Sequence, residues 1–245
     1  MASRSELSRI RETAWAAVIL ALAAAALTVY VAIAKAPLPG DVRLTREVQS
    51  WDWFSLPAEL VNGAHAWVQV PWMVVVATMT VRFIRDGKIG PETAVGRGRA
   101  FANVAVMIAF TLAISPFHNL LKHFVDSPRP TAEFGVTVSE FQDSNGFPSG
   151  HVYQDVLLLG AVALVAPLVF PRSWVRPLQA LVVVVIVLSG PARVFVGAHW
   201  PSDTVGGYLW GAAGLFGAMA LAKWLLDRHQ KRETAKGEAF AASQP

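Results

Sequence analysis

Three stretches of this 245-residue sequence hold side chains whose types and spacing can do chemistry: Lys122 with Arg129-Pro130 after six intervening residues, Pro148-Ser149-Gly150-His151, and Arg193 followed by His199 and Asp203. Pro201 suits the first turn of a helix, which puts His199 just outside the helix mouth and Asp203 within that turn. So placed, Asp203 can complement the helix dipole, or it can fix the tautomer of His199 and leave one ring nitrogen free as a nucleophile. Arg193 falls near the end of an apolar run, where a charge needs a partner. Ser149 reads as a helix N-cap, and the same geometry offers free N–H groups and a positive helix end to an anion, with Gly150 permitting close approach to the backbone. His151 beside such an anion can protonate a leaving oxygen. Lys122 and Arg129 read either as snorkelling cations at a helix end or as anion ligands. Pro128 and Pro130 keep the Arg129 segment extended, which suits a fixed guanidinium fork. Two histidines, an aspartate, three cations and a helix N-terminus fit phosphoryl transfer through a phosphohistidine, with charge neutralised by protein groups.

The elements that position these residues read as membrane helices. The chain is 54% hydrophobic and only 16% charged, against about 25% charged in soluble domains. That balance excludes disordered and collagen-like chains and disfavours a soluble enzyme. Cys is absent, so disulfides, thiolate metal sites and a cysteine nucleophile are excluded. A spanning helix needs about 20 mostly apolar residues. Six segments meet or approach that length, near 15–34, 64–83, 101–121, 151–170, 178–198 and 201–226, with a polar tail over 227–245. The first competes with a signal peptide, since Ala34-Lys35-Ala36 resembles a cleavage site, but its apolar run exceeds the usual h-region of about 7–15 residues. Val182 to Val187 is β-branched enough for a buried strand, yet its length and company favour a helix. Pro171 and Pro177 bracket a short basic connection, and Trp51, Trp53, Trp67 and Trp72 read as an interfacial aromatic belt.

The net charge of +4 reads as topology rather than as a nucleic-acid footprint. With the N-terminus cytoplasmic, the inside segments carry Arg4, Arg9, Arg11, Arg82, Arg85, Lys88, Arg97, Arg99, Arg172, Arg176, Lys223, Arg228, Lys231, Arg232 and Lys236, fifteen of the 21 Lys and Arg. Lys35, Arg43, Arg46, Lys122, Arg129 and Arg193 fall outside. The asymmetry places both termini inside and all three motifs together on the extracytoplasmic face.

The motifs KHFVDSPRP, PSGH and ARVFVGAHWPSD resemble the signature of the type-2 phosphatidic acid phosphatase superfamily, over Lys122 to Asp203. The resemblance implies an all-α integral membrane bundle of six transmembrane helices, forming one domain over residues 1–245 with its active site at the extracytoplasmic face. It implies His199 as the nucleophile, Asp203 as its support and His151 as the general acid. Lys122, Arg129, Ser149, Gly150 and Arg193 would hold the phosphate, with no metal and no cofactor. Ala192 stands where the pattern has Ser, which puts one hydroxyl contact in doubt.

The expected activity is metal-independent hydrolysis of a lipid phosphate or pyrophosphate through a phosphohistidine, with a phosphatidic-acid-type lipid phosphatase as the first reading. An undecaprenyl pyrophosphate phosphatase recycling the cell-wall carrier stands beside it. A transporter and a catalytically dead lipid-binding protein are the readings from other classes. Against a transporter, the chain shows neither an internal repeat nor paired interrupted helices. A metal site built from His118, His123, Asp126 and Asp143 lacks a recognised ligand spacing. Expected partners are a lipid phosphate substrate and membrane lipid, without nucleic acid, with a homodimer as the oligomer considered. Asn62 and His65 can line the site or merely cap a helix.

Overall fold

The computed structural model describes residues 4–65, 70–71, 73–75, 78 and 91–242, and among them every regular element is helical. Helix α1 (Arg4–Ala34) is built on Ala, Leu and Val. Its apolar stretch Ile10–Ala34 has 25 residues, a length of about 37 Å at 1.5 Å per residue, enough for a hydrocarbon core of about 30 Å. It leaves Leu22 66% and Ile33 77% exposed, a surface suited to lipid rather than water. Lys35, at φ 51°, ends the helix, and its Nζ donates to the carbonyls of Val125 and Asp126.

A short helix α2 (Asp41–Gln49) follows, then a 3-10 turn (Asp52–Phe54) running into α3 (Ser55–His65). Phe54, Ala58 and Val61 of this segment pack on Ala192. The expected span at 64–83 lies mostly outside the described residues, as do Trp67 and Trp72. Trp51 and Trp53 stack at 6.0 Å, with Trp53 69% exposed.

Helix α4 (Pro91–Ile114) stops at Ser115-Pro116 and restarts as α5 (Phe117–Val125). The segment expected at 101–121 is therefore two helices. Pro116 lacks the N–H that would continue the ladder. Helix α6 (Gly150–Val169) is the most enclosed, with 72% of its apolar window buried. It carries a π turn at Asp155–Leu159, a register change often found at functional sites. Helix α7 (Arg172–Phe195) starts earlier than expected and runs straight through Pro177. Pro171 sits ahead of the helix, where its fixed φ does no harm, and Pro177 removes one bond near the helix end. The β-branched run Val182 to Val187 is helical.

Helix α8 (Pro201–Ala242) has 42 residues and extends through most of the expected tail. Lys, Arg, Glu and Ala favour helix, and Lys231 pairs with Asp227 one turn away at 2.7 Å. Helix α1 packs along α8, and α6 and α8 supply the core with α4 and α7, around Leu158, Val162, Val165, Val182 and Ala218. Among the described residues five helical spans, Ile10–Ala34, Val104–Val125, Gly150–Val169, Arg172–Phe195 and Pro201–His229, are long and apolar enough to cross a bilayer. The described chain is an all-helical, multi-pass membrane protein.

Candidate active site

The ends of α3, α5 and α7 meet the starts of α6 and α8 at one end of the bundle, beneath the loop 126–149. Two carboxylates lock the start of α8. Asp41 accepts the Ser202 N–H and hydroxyl at 2.9 and 2.7 Å, and Asp203 Oδ2 accepts the Trp200 N–H at 3.0 Å. The same Oδ2 lies 3.4 Å from His199 Nδ1. On the other side of the ring, Arg129 Nη1 lies 3.2 Å from His199 Nε2. The tautomer that satisfies both contacts carries its proton on Nδ1 and leaves the Nε2 lone pair facing the guanidinium. Burial, and then the charges of Arg129, Lys122 and Arg193, hold the His199 imidazole well below the usual histidine range. The shift favours the neutral ring that a nucleophile needs.

Arg129 is fixed as the flanking prolines suggest. It donates to the carbonyls of Ser144 and Ala198 and to Ser144 Oγ, and the Trp200 indole N–H donates to Pro128 O at 3.2 Å. Lys122 and Asn145 exchange bonds, with Nζ donating at 2.9 Å and the amide returning one at 3.0 Å. The loop is pinned from α2. Gln49 bonds both backbone groups of Thr137, and Arg46 reaches the carbonyls of Phe134 and Gly135. Gly197, at φ 69°, is required here, because a Cβ would lie 2.1 Å from Thr137 O. A cavity of about 310 Å3 opens over Arg129 and Glu140.

Ser149 holds the N-cap position of α6, but its hydroxyl makes no cap bond; Oγ is buried without a partner among the described residues. The space left by the missing Cβ of Gly150 is taken by the ring of His118, which would stand 2.7 Å from that atom. His118 is anchored in turn by Ser115 O at 2.8 Å. All eight motif residues are therefore gathered at one end of the bundle. His123, Asp126 and Asp143 enter no cluster that could hold a metal ion among the described residues.

Four contributors carry no motif. Arg193 is 1% exposed, and its two Nη atoms grip Glu140 at 2.8 and 2.9 Å, with Asn62 Oδ1 at 3.2 Å. That hydrogen-bonded pair holds the Glu140 carboxyl below the usual carboxylate range. A buried arginine demands such a partner, but the loop offers Asp126, Glu133, Glu140 and Asp143, and only the fold chooses. His65 Nδ1 lies 3.0 Å from Asp155 Oδ1, and its ring rests 3.8 Å from that of His151. An aspartate inside an apolar span was the available signal for Asp155.

Over 120 residues the chain is 32% identical to the protein named "Putative undecaprenyl-diphosphatase YbjG" of Escherichia coli, covering 48% of this chain and 57% of the relative. Over 142 residues it is 28% identical to an undecaprenyl-diphosphatase of Sulfolobus acidocaldarius, covering 58% of each. The chain thus spans less than two thirds of the length of these relatives. The crystal structure of a transmembrane PAP2-type phosphatidylglycerolphosphate phosphatase from Bacillus subtilis superposes with a TM-score of 0.60 at 16% identity, over 89% of this chain and 97% of that one. It shares the fold. The PAP2 superfamily model matches residues 100–227, more than half of the chain and all three motifs, and the chain belongs to the PAP2 superfamily.

Proposed function

We propose that this protein is a metal-independent phosphatase of lipid phosphate or diphosphate esters, acting through a phosphohistidine on His199. The observation that carries the reading is the His199 imidazole held between Asp203 at Nδ1 and Arg129 at Nε2. Nε2 attacks phosphorus, the bond to the leaving oxygen breaks, and His151 gives that oxygen its proton. Water then attacks the phosphorus and gives a proton to His151, the P–N bond to His199 breaks, and inorganic phosphate leaves. Lys122, Arg129, Arg193, the Ser149 hydroxyl and the Gly150 N–H take the phosphate oxygens. Glu140 presents a carboxylate to the bidentate edge of Arg193 that a phosphate also fits, so substrate enters by displacing it. The names of the two similar sequences set a prenyl diphosphate beside a glycerolipid phosphate as substrate. The purified protein is expected to release phosphate from one of these in excess EDTA, and a panel of phosphatidate, phosphatidylglycerol phosphate and undecaprenyl diphosphate ranks them by kcat/KM. Loss of activity in EDTA with recovery on adding magnesium or zinc would refute the mechanism.

The site is read at the extracytoplasmic face of one six-helix domain over residues 1–245, with both ends cytoplasmic, on the charge asymmetry. Glu133 is exposed on the loop, and the chain has no cysteine of its own. Glu133→Cys is expected to react with a membrane-impermeant maleimide in intact cells, after outer-membrane permeabilisation where one exists. Labelling only after lysis reverses the orientation.

A further inference from the structure

We infer that His65, held by Asp155, is a positioning residue for His151; the inference rests on the reading of His151 as the general acid. His199 has Asp203 to orient it. His151 has no side-chain hydrogen bond of its own among the described residues, and what meets its ring is His65, with centroids 3.8 Å apart and planes 32° from parallel. Aromatic pairs more often sit about 4.5–7 Å apart, so this stack is close and restricts how far the His151 ring can turn.

His65 is itself secured. It ends α3, and its Nδ1 lies 3.0 Å from Asp155 Oδ1. Asp155 Oδ2 accepts the Ser189 hydroxyl at 2.5 Å. The carboxylate, 2% exposed, therefore joins α3, α6 and α7 with both oxygens in use. Asp155 also stands four residues after His151 on α6, on the same helix face, at the first residue of the π turn. The carboxylate fixes the His65 ring, and the His65 ring fixes the plane from which His151 delivers its proton. The site thus contains a second aspartate–histidine pair. It acts on the acid, where the first acts on the nucleophile.

The test compares two esters that the wild-type protein hydrolyses, a lipid alkyl phosphate and an aryl phosphate. An alkoxide needs the proton and a phenolate needs it little. His65→Ala is expected to lower kcat on the alkyl ester by about 10-fold to 10²-fold, within the range general acid catalysis supplies, with KM little changed and the aryl ester nearly unaffected. Added to His151→Ala, it should cost nothing more, because the group it positions is gone. Asp155→Asn keeps an acceptor for His65 and should shift the same ratio by less; it decides the matter if His65→Ala does not elute as a folded species. Equal losses on both esters, an effect confined to KM, or a full further loss in the double variant overturns the inference. If His151→Ala itself shows no dependence on the leaving group, the acid assignment fails and takes the inference with it. If His151→Ala shows that dependence and His65→Ala does not, the inference alone fails.

Discussion

His199→Ala is expected to abolish turnover of every ester the protein hydrolyses, by about 10⁴–10⁶-fold, the scale on which removing a covalent nucleophile acts. The ring removed is the one that lies between Asp203 Oδ2 and Arg129 Nη1. Asp203→Asn keeps the imidazole but loses the charge that holds its tautomer, so its loss should be large and yet smaller than that of His199→Ala. The pH dependence has a defined sign. His199 is held below the usual histidine range by burial and then by its cationic neighbours, so it remains a competent nucleophile as the pH falls through that range. The unfolded chain takes up this proton more readily than the folded one. Acidification through the usual histidine range therefore destabilises the fold before it silences His199. Initial rates and thermal midpoints across pH check both signs.

His151→Ala is expected to cost about 10²–10⁴-fold on a lipid alkyl phosphate and much less on an aryl phosphate. The variant removes the proton supplied to the leaving oxygen, a phenolate departs without it, and kcat/KM reports formation of the phosphohistidine rather than its hydrolysis. The ratio of kcat/KM for the two esters should therefore fall in His151→Ala and stay undefined in His199→Ala, which is inactive on both. A His199→Ala protein that still turns over, beside a His151→Ala protein that is dead on the aryl ester, would reverse the two roles.

The motif residues were legible from type and spacing because each serves a local geometry. Pro201 starts a helix, Asp203 caps its mouth four residues after His199, and two prolines stiffen the arm that carries Arg129. Apolar lengths revealed the helices but not their ends. Pro116 divides a helix where Pro177 does not, and the difference lies in how near each stands to a helix end. Asn62 and His65 could be named as candidates but not given partners, and Glu140 and Asp155 were not legible. Each owes its place to contacts between elements far apart in sequence, such as Arg193 with Glu140 from the loop and with Asn62 from α3. Asp155 could have been suspected from its burial in an apolar helix, but no spacing joins it to His65.

The most direct measurement is the trapping of the covalent intermediate. Wild-type protein mixed with substrate carrying a radioactive phosphate is quenched in alkaline detergent, where phosphohistidine survives, and digested for peptide mapping. Label is expected on the peptide containing His199 in the wild-type protein, and none is expected in His199→Ala. Label on another residue, or label that persists in His199→Ala, would contradict a phosphohistidine at His199.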